Sequence, residues 1–421
     1  MPLPVFLVLH GAEIPDFPFC ERNSLSLKYL VLDFSLPKWY NIIGCPISAT
    51  YGALFFITEA RKMLDFTPAV FAIGESYDII TYSAAESMIW IKVADELYYD
   101  DSNGIFRSLR PVHKITVPKS ALDAAGEYTV YQKRLIERKP YFTETEETEE
   151  FTYSFRPVPE NPRCYHISDA HNRIEQPCRA ARAFGKIDFL VMNGDIPDHC
   201  GDLINLKNIY KIADELTKGE IPIVFSRGNH DMRGTYAEEF ASYTPSDNGR
   251  SYFTVRLGNL WALILDCAED KADSSIEYGY TVCCHSFRQK QTRFIEKTIS
   301  RKGEEYDAAG VDHKIIISHK PFTHVQQPPF DIEQDIYSLW AKYCREDIRP
   351  DLYLAGHLHR LTICPIGGEL DDLGQGAPLI VGATISREND YFAGTGIEFT
   401  KDGVFATFTD SDGKVGERTK I

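Results

Sequence analysis

The sequence predicts an all-β segment followed by an α/β half, and three observations carry that expectation. Between residues 66 and 156, short runs rich in β-branched and aromatic residues are separated by turn-forming clusters. From Cys164 onward, apolar runs short enough to be buried strands alternate with stretches of helical length, the mark of an α/β domain. Between the two lies "RPVPENPR" (156–163), whose three prolines mark the boundary.

The first 62 residues show no clear period, and their only methionine is the first residue; they are read as an N-terminal extension, with a domain opening at Met63. "SMIWIKV" (87–93), "HKITV" (113–117), "EYTVYQKRLI" (127–136) and "EEFTYSFRPV" (149–158) are the strands expected of a β-sandwich of immunoglobulin or fibronectin type over 63–158. The acidic "TETEETEE" (143–150) reads as a solvated hairpin loop. In the second domain, 159–421, the expected strands are "RCYHIS", "IDFLVMNG", "IPIVFSRG", "LWALILD", "HKIIISH" and "DLYLAGH". Helices are expected over 176–186, 203–219, 287–302 and 334–348, and a final hairpin turns around Asp402-Gly403.

Composition excludes several classes. With 43% apolar and 25% charged residues the chain is ordinary for a globular protein. No stretch approaches the roughly 20 apolar residues of a membrane span. A net charge of −16 disfavours nucleic acid as a partner, because phosphate-backbone binding draws on clustered Lys and Arg. The start lacks the basic region and cleavage pattern of a signal peptide, and ten cysteines without repeated spacing suit reduced thiols, so a cytoplasmic location is expected.

Polar residues follow the strands of the α/β half in a series. After "YHIS" come Asp169 and His171; after "FLVMN" come Gly194, Asp195 and Asp198; after "IVFSR" come Gly228, Asn229, His230 and Asp231. "KIIIS" ends on His319, and "LYLA" on Gly356, His357 and His359. Alone, each has a structural reading: Gly-Asp is usually a turn, and a terminal histidine is usually a satisfied one. Together, each behind its own strand, they converge, because the carboxyl ends of strands in an α/β sheet face one crevice.

This series resembles the calcineurin-like metallophosphoesterases, whose pattern is Asp-x-His, Gly-Asp, Gly-Asn-His-Asp/Glu, a lone His and Gly-His-x-His. The resemblance implies a four-layer α/β/β/α sandwich and two divalent metal ions, with Mn, Fe, Zn and Mg all compatible with nitrogen and oxygen ligands. Carried over by position, one metal falls to Asp169, His171, Asp195 and His359, the other to Asp195, Asn229, His319 and His357, with Asp195 bridging. His230 is then the residue that faces the leaving group, and Asp198 the carboxylate that orients it; Gly228 permits the turn, and Asp231 is structural. The implied reaction is hydrolysis of a small phosphomonoester or phosphodiester by metal-activated hydroxide.

Departures narrow the resemblance. Purple acid phosphatases, which also carry an N-terminal β-sandwich, place Tyr where this chain has Asp198, so an Fe³⁺–tyrosinate site is not expected. Serine/threonine phosphatases have Arg where this chain has His199; Arg227 is a weaker candidate for the phosphate contact. Asp266, His285 and His324 are expected to be structural, and the segment 267–287 to wall the site. The competing readings are a nuclease of the same superfamily, against which the charge argues, and a non-catalytic scaffold, which would be expected to lose ligands that are all present here.

Overall fold

The structure is a computed structural model that describes residues 64–386 and 390–421, together with the backbone of two short strands before them. Those strands, Tyr29–Leu32 and Tyr40–Ile43, pair antiparallel with Tyr29 opposite Ile43. The rest of the expected N-terminal extension lies outside the described residues.

From residue 63 the chain is one compact unit. Its first part is rich in strands, as its β-branched and aromatic runs require. Strands β1 (Ala69–Ile73), β2 (Ser76–Tyr82) and β4 (Val112–Pro118) pair antiparallel in the order β1-β2-β4. Strand β3 (Ser87–Val93) pairs with β5 (Glu127–Glu137), and β5 with β6 (Glu144–Ser154). The acidic stretch is therefore strand and not loop: Glu150 sits opposite Tyr131 and Thr148 opposite Lys133. Its side chains gave no strand signal because they are mostly exposed, so no face had to be apolar.

The parallel strands β7 (Arg163–Ile167), β8 (Phe189–Asn193) and β9 (Ile223–Ser226) continue the sheet of β1, β2 and β4, with Cys164 opposite Phe189 and Leu190 opposite Ile223. β1 joins β9 in parallel at Phe71 and Ile223, so β1, β2 and β4 prolong this sheet, while β3, β5 and β6 belong to a separate one. Val70, Ile79, Ile115 and Phe155 share one core with Val191 and Val224. The change at 156–163 is thus one of topology, antiparallel before and βαβ after, with no break in the core.

A second run of strands repeats the logic: β10 (Phe253–Leu257), β11 (Leu260–Leu265), β12 (His313–Ser318) and β13 (Leu352–Ala355), the last three parallel. β14 (Arg360–Cys364) lies antiparallel on β15 (Leu379–Ile385), and β16 (Phe392–Thr400) pairs with β17 (Gly403–Asp410) in the expected hairpin. β15 belongs to both runs: Tyr353 faces Leu379 at its start, and Ala393 faces Thr384 at its end.

Side chains that alternate across these strands fill both faces. Val191, Val224, Ala262, Ile264, Ile315 and Ile317 meet in the core between the sheets. Leu190 and Met192 point outward against helices α1 (Glu175–Phe184) and α2 (Leu203–Thr217), through residues such as Cys178 and Ile209. Leu263 and Ile316 point outward on the other side, against α3 (Cys284–Ser300) and α4 (Gln334–Tyr343), through Ile295 and Trp340. The result is a four-layer α/β/β/α sandwich. Each fully buried aliphatic contributes roughly 1.5–3 kcal/mol, so burial on both faces leaves only the strand ends for polar residues.

Candidate metal centre

Those ends hold the sequence-predicted residues. Asp169 and His171 leave β7, Asp195 and Asp198 leave β8, and Asn229 and His230 leave β9. Across the interface between the sheets, His319 leaves β12 while His357 and His359 leave β13. Asp169, His171, Asp195, His357 and His359 all take left-handed backbone, with φ between 44° and 68°. Such conformations cost roughly 1–3 kcal/mol each and concentrate at functional sites.

Glycines let these loops touch. A Cβ on Gly228 would collide with the Asp195 carboxylate, and one on Gly356 with Ser168 and Asp169. Gly228, expected to permit the turn, is needed for close approach; the left-handed backbone of a glycine belongs to Gly194, at φ 76°.

The donor atoms converge in three groups, one of which, His171 with Asp195 and His230, draws on the first sheet alone. The other two span both sheets, Asp169, His171 and His359 in one and Asp195, His319 and His357 in the other, and in every group the ligand atoms lie within 4.8 Å of one another. His171 Nε2 lies 3.0 Å from His359 Nε2, and His359 Nε2 lies 3.2 Å from Asp169 Oδ1. His319 Nε2 lies 3.1 Å from Asp195 Oδ2 and 3.7 Å from Asp169 Oδ1. Asn229 Oδ1 sits 3.0 Å from His357 Nδ1.

Hydrogen bonds fix which nitrogens are offered. His319 Nδ1 donates to the Asn193 carbonyl at 2.7 Å, which turns the buried Nε2 toward the two aspartates. His171 Nδ1 donates to Asp198 Oδ1 at 3.1 Å, leaving its Nε2 facing that of His359. Two imidazole nitrogens 3.0 Å apart, beside buried carboxylates, make a donor set suited to a divalent cation. The electrostatics agree. Burial alone would discharge His319, but Asp195 and then Asp169 outweigh it and push the imidazole up to about 10. His357 is lowered to about 3 by burial and by the charge of His319. Asp169 is held down at about 2, burial opposing and His319 prevailing. Adjacent buried carboxylates demand positive charge, which an imidazolium or a cation supplies.

Other expectations are placed more finely. The Asp198 carboxylate holds His171, while its backbone carbonyl takes His230 Nδ1 at 2.7 Å; Asp198 Oδ1 is 3.8 Å from that nitrogen. Asp231 is structural: its carboxylate accepts from the Gly228 and Asp195 amides. Arg227 donates from Nε to Asp266 at 2.6 Å and lies over the Phe287 ring. His324 pairs with Asp372 and His285 with Glu333, both away from the cluster.

Sequence reasoning missed Asn193, Arg233 and Glu269. The Asn193 side chain reaches the Ser318 and Leu354 carbonyls on the second sheet, tying the two halves together beneath the ligands. Arg233 bonds both oxygens of Glu269 at 2.9 Å and approaches His230, which brings the segment after Cys267 beside the site as expected of a wall. Its nearness to His230 in "GNHDMRG" was the available signal.

Fold and donor set define a metal-dependent hydrolase built on two packed sheets. Residues 162–361 match the family model of the calcineurin-like phosphoesterases, so the chain carries a metallophosphoesterase domain, that of a metal-dependent phosphoric ester hydrolase. Among solved structures, the purple acid phosphatase PPD1 from yellow lupin (Lupinus luteus) seeds is similar at 15% identity and a TM-score of 0.51, covering 83% of this chain and 73% of its own. Vps29 from Chaetomium thermophilum matches at 9% identity and a TM-score of 0.25, covering 62% of this chain and 96% of its own. No curated protein matches the chain. The lupin enzyme supports the fold, a mixed α/β sandwich with a strand-rich N-terminal region. Among the described residues no helix is long and apolar enough to cross a membrane, and the described cysteines are free, all buried but Cys283.

Proposed function

We propose that the site binds two divalent cations and hydrolyses a small phosphomonoester or phosphodiester. Asp169, His171, Asp195 and His359 would hold one cation; Asp195, Asn229, His319 and His357 would hold the other, with Asp195 shared. The observation that carries this reading is that two of the three donor groups, each within 4.8 Å, combine residues from both sheets. Bound divalent cations lower the pKa of water and neutralise phosphoryl charge. The protein's own groups do the rest. The Asn193 carbonyl and the Asp198 carboxylate orient His319 and His171 so that each presents Nε2. His230, its ring centroid 4.7 Å from that of His171 and its Nδ1 tied to the Asp198 carbonyl, turns Nε2, 3.3 Å from Arg233 Nη1, to the side where it would exchange a proton with the leaving group.

The test is hydrolysis of p-nitrophenyl phosphate and its bis-ester by protein loaded with Mn²⁺, Zn²⁺ or Fe, with bound metal measured by elemental analysis. Two equivalents of metal and loss of turnover on chelation are expected, with recovery on reloading. Undiminished turnover in metal-stripped protein would sink the reading.

A further inference from the structure

Arg233 stands beside His230 with no task in the reading above. Its Nε and Nη2 donate to the two oxygens of Glu269, each at 2.9 Å, and Glu269 is itself buried, so the guanidinium is held by a two-pronged pair. Its Nη1 lies 3.3 Å from His230 Nε2. A guanidinium only donates and a carbonyl only accepts. His230, donating from Nδ1 to the Asp198 carbonyl, therefore meets Arg233 with Nε2 as an acceptor. An acceptor nitrogen cannot hold an anionic phosphoryl oxygen. The donor beside it can.

The guanidinium also has capacity left. Of the five N–H groups of an arginine, three are engaged, with Glu269 and His230. The other two have no acceptor within hydrogen-bond distance among the described residues; Asp270 and Glu277 stand off at 3.7 and 3.9 Å. Those carboxylates are occupied elsewhere, Asp270 by the Tyr278 hydroxyl at 2.9 Å and Glu277 by Lys271 at 2.7 Å. With 27% of its side chain exposed, Arg233 is reachable from solvent.

We propose that Arg233 binds the substrate, donating to a phosphoryl oxygen next to His230 while Glu269 fixes the guanidinium for that contact. The assignment rests on the phosphoester-hydrolase reading and adds a specificity-determining residue to it.

The experiment uses full-length Mn²⁺-loaded protein, p-nitrophenyl phosphate as substrate and inorganic phosphate as competitive inhibitor. Arg233→Ala is expected to raise KM and the Ki for phosphate about ten- to a hundredfold, by more than it lowers kcat, with bound metal and Tm at the wild-type values. Arg233→Lys should restore part of the loss. An arginine that only braces the loop gives the reverse, a lower Tm or lost metal with Ki unchanged in the loaded fraction, and that result overturns the proposal. Should Arg233→Ala fail to fold, Glu269→Gln carries the same test: Ki rises if the guanidinium must be fixed, and an unchanged Ki refutes it. An inactive metal-loaded wild type would instead sink the underlying reading, so the two failures are distinguishable.

Discussion

Two stretches of one sheet end differently. β7, β8 and β9 are parallel, so their carboxyl ends share one edge, and each opens into a loop that carries site residues. β1 is also parallel to β9, but it turns at Gly74 and Glu75 straight into β2, where Ile73 faces Ser76. A two-residue hairpin returns the chain at once and leaves no length to reach across the edge. β2 and β4 are antiparallel and alternate their ends between opposite edges. Parallel strands with longer connections thus concentrate side chains, whereas hairpins disperse them. β1, β2 and β4 extend the sheet; the βαβ strands build the site.

The comparison sharpens if damage follows that division. Asp195→Ala, on a βαβ loop and at the centre of the cluster, should reduce turnover and bound metal at least about a hundredfold, measured by kinetics and elemental analysis. Asp198→Asn should act through His171: metal affinity falls about tenfold, while His230, held by the backbone carbonyl, keeps its partner. A normal metal affinity with a collapsed kcat would instead return the Asp198 carboxylate to His230. At the other extreme, Glu149→Ala on the exposed strand β6 should shift stability by no more than about 0.5 kcal/mol and leave kcat/KM unchanged. A large loss of activity there would break the division outright.

Much of this was legible in the sequence. Apolar runs located the parallel strands, since burial on both faces demands them, and the polar residues behind those runs proved to be neighbours in space. The first half of β6, residues 144–148, was not legible, because a strand open to solvent is under no pressure to be apolar. The continuity of the sheet across 156–163 was hidden for another reason: prolines report where the chain bends, not whether the core beneath it is shared.

Local order and covalent spacing therefore settled which residues meet. The folded chain alone settled what each atom does once there: that Gly228 yields to a carboxylate, that Asp198 serves one histidine with its side chain and another with its backbone, and that Arg233 finds Glu269 from another loop. Hydrophobic periodicity is a property of neighbours along the chain and survives in the letters. A hydrogen-bond partner is chosen by rotamer and by the packing of segments remote in sequence, which no short stretch of the chain encodes.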